Sequence, residues 1–198
     1  KRIQKRLGTD TVAYTCELKF DGVSISLTYE NGVLEQAVTR GDGTQGDEVT
    51  QNVRTIPTVP LQLRGDFTDR FAIRGEIVLP IDGFNKMNEE RVALGEEPYR
   101  NPRNTASGTL KLQDSSLVAK RPLQCFLYQM IADRSLFTTQ LESLQTARKL
   151  GFHVPEHYTL ALSIDEVMHF ISHWEKERSN LPFEIDGIVI KVNDISQQ

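Results

Sequence analysis

Apolar and polar residues alternate along VAYTCELKF at 12–20, VSISLTY at 23–29 and GVLEQAVTR at 32–40. A period of two sends successive side chains to opposite faces, so each stretch reads as a strand. Asn31-Gly32 stands between the last two and is the strongest short hairpin signal, which predicts a β-hairpin over about 23–40. Further strands are expected at 71–79 (FAIRGEIVL), at 123–131 (LQCFLYQMI, a continuous apolar run) and at 183–192 (FEIDGIVIKV). An acid-rich helix is expected from Asp82 to about Leu94, and Asn101-Pro102 reads as a turn leading into a short helix at about 102–112. Thr139-x-x-Glu142 and Ser163-x-x-Glu166 are capping boxes that open two more helices, ending at Gly151 and about Arg178. Strands and helices interleave irregularly and hairpin strands are antiparallel, so the pattern predicts an α+β fold rather than a doubly wound parallel sheet. No internal repeat or low-complexity segment interrupts it.

With 198 residues, 38% of them hydrophobic and 25% charged, the chain has the balance of a soluble globular protein with one good core or two small ones. No run approaches the roughly 18 apolar residues that span a bilayer. The opening KRIQKR is followed by no apolar signal segment, so a cytoplasmic protein with no membrane partner is expected. Cys16 and Cys125 lie far apart, each in apolar sequence, and read as core thiols. A net charge of −4 argues against a surface that grips nucleic acid everywhere. Residues 100–121 nevertheless hold Arg100, Arg103, Lys111, Lys120 and Arg121 against Asp114 alone, and the amino terminus adds Lys1, Arg2, Lys5 and Arg6. These are either a solvated face or an anion-binding one. The first residue is not methionine and the chain stops just past a strand, which reads as a piece of something longer.

Candidate chemistry begins with Lys19, flanked by Leu18 and Phe20 and followed by Asp21-Gly22. At a pKa of about 10.4 a lysine is neutral about one part in a thousand near pH 7.5, so a nucleophilic one needs surroundings that disfavour its charge. The apolar neighbours, and Arg40 at the far end of the hairpin, could supply them. The alternative is a strand-end lysine paired with Asp21 or Glu17. The loop TRGDGTQGDEVTQN at 39–52 offers glycine backbone N–H groups and Arg40 to phosphate, without the Gly-Lys-Ser/Thr ending of a P-loop. Glu76 lies within an apolar strand next to Gly75 and needs a partner: Arg74, Arg40, a ligand hydroxyl or a metal. Lys191 lies within another apolar strand, after Asp186-Gly187, and phosphate is an economical partner for both strand lysines. His169 and His173 are four apart on a predicted helix that Glu166 shares, which is either a metal pair or a wet face. His153 and His157 straddle Pro155 as loop residues, and Trp174 is expected to anchor its helix.

K-x-D-G alone would arise by chance about once in 25 chains of this length, so order matters more than any single block. In order, ELKFDG, TRGDGTQGDEVTQNVRTIPTVPLQL, IRGEIVLP, NPRNTASGTLKLQD and EIDGIVIKV resemble the adenylation domain of bacterial NAD-dependent DNA ligases, over about residues 13–198. ATP-dependent ligases and messenger-RNA capping enzymes share K-x-D-G and the later strand lysine, whereas TRGDG and NPRN are similar to the NAD-dependent branch. The resemblance implies the DNA ligase/mRNA capping nucleotidyltransferase fold, antiparallel sheets with flanking helices around a nucleotide cleft. It implies that Lys19 attacks the adenylyl phosphorus of NAD, that AMP passes to the 5′-phosphate of nicked duplex DNA, and that a 3′-hydroxyl seals the nick, with Mg²⁺ neutralising charge. By the same resemblance Glu17 reads the adenine amino group, Glu76 holds the ribose, Arg40 contacts the nucleotide and Tyr128 stacks on adenine. Lys191 neutralises the α-phosphate and lowers the pKa of Lys19, while Arg100, Arg103 and Lys111 meet DNA phosphates without reading sequence.

The resemblance further implies that residues 1–198 are the nucleotidyltransferase core of a longer bacterial, monomeric enzyme. A helical segment that grips nicotinamide mononucleotide would precede it. Another motif lysine, an OB-fold, a zinc module, helix-hairpin-helix repeats and a BRCT domain would follow, so zinc belongs only to that missing part. The chain alone is then expected not to ligate DNA. The rivals are an ATP-dependent polynucleotide ligase or capping nucleotidyltransferase, and a non-catalytic nucleic-acid-binding module.

Overall fold

The computed structural model describes residues 3, 6, 8, 11–41, 45–65, 70–132 and 136–198; Lys1, Arg2 and Lys5 of the basic terminus and residues 42–44 of the glycine-rich loop lie outside them. The elements run β1 (Tyr14–Phe20), β2 (Val23–Glu30), β3 (Val33–Thr39), α1 (Thr50–Val53), β4 (Arg70–Val78), α2 (Ile81–Ala93), α3 (Pro102–Leu110), α4 (Ser115–Ala119), β5 (Gln124–Ala132), α5 (Gln140–Lys149), β6 (Tyr158–Ala161), α6 (Ile164–Glu177) and β7 (Ile185–Val192). The strands form two sheets, ordered β6-β1-β7 and β3-β2-β4-β5, with every named pair antiparallel. The architecture is mixed α and β, with antiparallel sheets and helices.

Local chemistry explains the ends of these elements. Asn31 and Gly32 take φ of +50° and +75°, the left-handed pair that matches strand twist in a two-residue hairpin, and Glu30 faces Val33 across it. The capping box at Thr139 and Glu142 is complete. At the start of α3, the Asn101 side chain accepts from the Asn104 N–H at 2.8 Å and Pro102 takes the first helical position. Three elements escaped the hydrophobic pattern: α1, α4 and β6 span 4, 5 and 4 residues, too short for a period to register.

One face of the four-stranded sheet is apolar and buried, and the other is mainly polar except where Val78 and Phe126 meet the second sheet. Ile25, Leu27, Ile73, Ile77, Cys125 and Leu127 pack into a large cluster with Leu110 of α3 and Leu144 of α5. A second cluster, including Leu18, Phe20, Val78, Phe126, Trp174 and Phe183, joins the two sheets. There the rings of Phe20 and Phe126 stack at 4.5 Å. Side chains of this size contribute about 1.5–3 kcal/mol each when fully buried, so the sheets are held together immediately beneath the polar ends of β1 and β4. Both cysteines are buried and free, as expected of core thiols, and Trp174 anchors α6 in the second cluster.

Candidate active site

Alternation along β1 sets Cys16, Leu18 and Phe20 against the apolar clusters and turns Thr15, Glu17 and Lys19 to the other face. β7 lies beside this strand in a register that sets Lys191 opposite Thr15, Val189 opposite Glu17 and Gly187 opposite Lys19. Lys191 is therefore the diagonal neighbour of Glu17, and its Nζ meets the carboxylate at 3.0 and 3.1 Å. Glu17 is 5% exposed. Its Oε1 also accepts from Gln140 Nε2 at 2.9 Å. Burial pushes the Glu17 carboxyl above its ordinary range, while the Lys191 charge and the two hydrogen bonds pull the other way.

Lys19 differs from expectation. Its partner is neither Asp21 nor Glu17 but Asp186, which holds Nζ at 2.6 and 2.7 Å. The side chain is 53% exposed, because Leu18 and Phe20 point through the sheet and do not surround the amine. Each of the two strand lysines thus already has a carboxylate, where sequence alone pointed to phosphate.

Asp21-Gly22 links β1 to β2 by close approach. A Cβ on Gly22 would fall 2.4 Å from the Ile77 carbonyl oxygen and 2.9 Å from Glu76 Cγ, so glycine lets the chain pass directly over β4. Asp21 donates its N–H to the Glu184 carbonyl at 3.0 Å and accepts from Arg103 at 3.0 Å, which ties the turn to α3. Glu76, opposite Ser24 on β2, takes neither Arg74 nor Arg40 as its partner. The Tyr128 hydroxyl lies 3.4 Å from Glu76 Oε2 and from the Gly75 carbonyl oxygen. Tyr128 reaches there because the register shifts between Arg74 and Gly75, pairing those residues with Gln129 and Leu127 and leaving Tyr128 in a bulge. Burial raises the Glu76 carboxyl to about 7 against the opposing effects of the Tyr128 hydroxyl, Arg103 and Lys19. Lys191 Nζ sits 5.2 Å from the Tyr128 ring centroid.

Helix α3 buries Pro102, Thr105, Ala106, Thr109 and Leu110. Its opposite stripe carries Arg103 and Ser107, with Lys111 just past the helix end, at the four-residue spacing of one helical face. Lys111 pairs with Asp47 at 2.9 Å. The loop after β3 returns to its own edge: Thr39 N–H donates to the Asp47 carbonyl at 3.0 Å and Asp47 N–H to Thr39 Oγ1 at 2.9 Å. A Cβ on Gly46 would lie 1.8 Å from the Thr39 carbonyl oxygen, so this return also depends on glycine.

These elements enclose one cleft of about 710 Å³, lined by Glu17, Lys19, Ser24, Arg40, Glu76, Arg103, Lys111, Tyr128, Asp186 and Lys191 among others. That volume is within the range of small-molecule sites.

The family model of the NAD-dependent DNA ligase adenylation domain matches residues 1–198. The chain belongs to that family. It is 58% identical over 197 residues to a DNA ligase of Flavobacterium johnsoniae, covering all of this chain and 30% of that protein. To a DNA ligase of Christiangramia forsetii it is 58% identical over 194 residues, or 98% of this chain and 29% of the other. A DNA ligase of Cytophaga hutchinsonii is 48% identical over 199 residues, with 100% and 30% covered. The chain thus spans about 30% of the length of the curated relatives it matches.

In this adenylation domain the cleft gathers Lys19, Glu17, Arg40, Glu76, Tyr128, Lys191, Arg103 and Lys111. Arg100 is exposed and is not part of the lining. Sequence reasoning missed Asp186, Asp47 and Gln140 as functional neighbours. The Asp-Gly pair before Lys191 was the available signal for Asp186; nothing local marks the other two. His169 and His173 are exposed on α6, and His153 and His157 lie between elements. Among the described residues no group of three or more His, Cys, Asp or Glu is arranged to hold a metal unaided, and no helix is long and apolar enough to cross a membrane.

Proposed function

We propose that this domain is the nucleotidyltransferase-fold core of a bacterial NAD-dependent DNA ligase and that its cleft takes the adenylyl half of NAD. The observation that carries the reading is the convergence, in one cleft of about 710 Å³, of Lys19 with a buried Glu17–Lys191 pair, Glu76 and the α3 cations. Lys19 Nζ, having lost a proton, attacks the adenylyl phosphorus; the bond to nicotinamide mononucleotide breaks and a lysine–AMP phosphoramide forms. Asp186, at 2.6 and 2.7 Å from Nζ, can take that proton and pass it to solvent, and the neutral amine keeps two N–H donors for the carboxylate while its electron pair faces phosphorus. Glu17 faces the adenine amino group, Tyr128 stacks on the base, Glu76 holds the ribose, Arg40 contacts the nucleotide and Lys191 neutralises the α-phosphate. Catalysis of this kind is mainly positioning and charge neutralisation.

Mg²⁺ takes one or two protein carboxylates together with phosphate oxygens. Asp186, which lines the cleft, could supply one such carboxylate, and the ion would spread the charge of the phosphoryl group. In the intact protein AMP then passes to the 5′-phosphate of nicked duplex DNA, and a 3′-hydroxyl displaces it. Arg103 and Lys111, with exposed Arg100, meet the duplex backbone. The whole enzyme, a cytoplasmic monomer serving replication and repair, would add a nicotinamide-mononucleotide segment before this core. After it would come the OB-fold, zinc, helix-hairpin-helix and BRCT modules.

The test is nick sealing by the full-length protein with NAD or ATP as donor, in wild type and Lys19→Ala. Sealing with NAD alone, lost in the variant while DNA binding persists, is expected. Sealing driven only by ATP would contradict the donor assignment, and sealing unchanged in Lys19→Ala would contradict the nucleophile.

A further inference from the structure

Gln140 opens α5 and is 2% exposed. Its side-chain nitrogen donates to Glu17 Oε1 at 2.9 Å and to the Tyr128 carbonyl oxygen at 3.0 Å. A carbonyl oxygen only accepts, so the Tyr128 contact fixes the amide with its nitrogen toward both partners. The helix is held independently of this side chain. Gln140 N–H donates to the Asn193 carbonyl at 2.7 Å, and Asn193 Oδ1 accepts from Leu141 N–H at 3.1 Å and from the Thr15 hydroxyl at 2.8 Å.

We propose that Gln140 is a positioning residue that keeps Glu17 an acceptor toward the cleft and thereby sets the preference for a 6-aminopurine over a 6-oxopurine nucleotide. The inference rests on the reading of Glu17 as the residue that faces the base. A 6-amino group donates and pairs with an ionised carboxylate; a 6-oxo group accepts and pairs only with a protonated one. A site built around one hydrogen-bonding pattern rejects the inverse, because a buried group is then left unpaired. Protonation of Glu17 therefore inverts the preference. Burial favours that protonation, and Lys191 and Gln140 oppose it. The other titratable side chains around Glu17 are Lys19 on the same strand face, its neighbour Cys16, Tyr158 opposite it on β6 and Tyr128 on β5. The hydrogen bonds made to the carboxylate come from Lys191 and Gln140.

The test compares enzyme–nucleotide adduct formation in the full-length protein from NAD and from nicotinamide hypoxanthine dinucleotide, at about pH 6 and about pH 8. Wild type should prefer NAD. Gln140→Met should reduce that preference by about tenfold, and more at the lower pH. Asn193→Ala, which loosens α5 but leaves the amide in place, should lower Tm with the preference kept. Gln140→Glu sets a second carboxyl against Glu17 and should reduce the preference as well, which covers a failure of the methionine variant to fold. Loss of preference in Glu17→Gln with none in either Gln140 variant would overturn the role of Gln140 alone. Equal use of both dinucleotides by wild type would overturn the reading of Glu17 and this inference with it.

Discussion

Glu17 and Lys191 form the most consequential pair at the residue scale, because their side chains are only 6% and 17% exposed. Removing Lys191 leaves the buried Glu17 charge with a neutral amide donor, Gln140, and no opposite charge. Lys191→Ala should therefore lower stability by about 3 kcal/mol in urea denaturation, with Glu17→Gln/Lys191→Met recovering most of it. A Lys191→Ala midpoint equal to wild type would show that solvent reaches Glu17. Glu76 behaves differently. Its carboxyl is raised to about 7 by burial, above the value of an unfolded chain, so its ionisation weakens the fold as pH climbs through that range. Glu76→Gln should match wild type in Tm below about pH 4.5 and exceed it increasingly up to about pH 8; a constant difference would exclude this titration. Lys19 and Asp186 are 53% and 39% exposed, and exposed pairs contribute about 0–1 kcal/mol. Lys19→Ala should then leave stability almost unchanged, which makes it a clean probe of chemistry.

At the scale of elements, two packing constraints hold the cleft's shape. Gly22 passes over β4 with room for hydrogen alone, so Gly22→Ala should cost about 2 kcal/mol or displace the turn that leads from Lys19 into β2. Measurement by urea denaturation together with adduct formation would see either effect, and wild-type values in both would contradict the close approach. Asn101 caps α3, and Asn101→Ala should cost about 1 kcal/mol and loosen the stripe that carries Arg103. Elements of this kind were legible in the sequence because their signals are local: Asn31-Gly32, the Thr139 capping box and Asn101-Pro102 each lie within a few residues of what they specify. α1, α4 and β6 were not, since four or five residues cannot show a period. The partners within the site were illegible for the opposite reason. Lys19 and Asp186 are 167 residues apart in the chain, and Glu17 and Lys191 are 174 apart. The residues announced themselves as charges within apolar strands, but which carboxylate each lysine meets follows from the β1–β7 register, and the bulge that aims Tyr128 at Glu76 arises only when β4 and β5 pair.

Across the whole molecule, net charge misleads. The chain is acidic overall at −4, yet its cleft brings Lys19, Arg40, Arg103, Lys111 and Lys191 together. Three of these sit in solvent-accessible pairs, with Asp186, Asp21 and Asp47. Such contacts are weak and exchangeable, so an incoming phosphate can take over the cation without a large cost. The buried Glu17–Lys191 pair is held more tightly and fixes the floor of the site, so the α-phosphate proposed for Lys191 adds to the Glu17 contact and does not replace it. The cleft thus combines one buried, tightly held pair with three loosely paired cations, an arrangement that suits the nucleotide transfer proposed at Lys19. The most direct test of that claim is peptide mass mapping of the full-length protein after incubation with NAD and Mg²⁺. One adenylyl group on the peptide containing Lys19, absent from Lys19→Ala, is expected. An adenylyl group on a different residue, or its persistence in that variant, would contradict it.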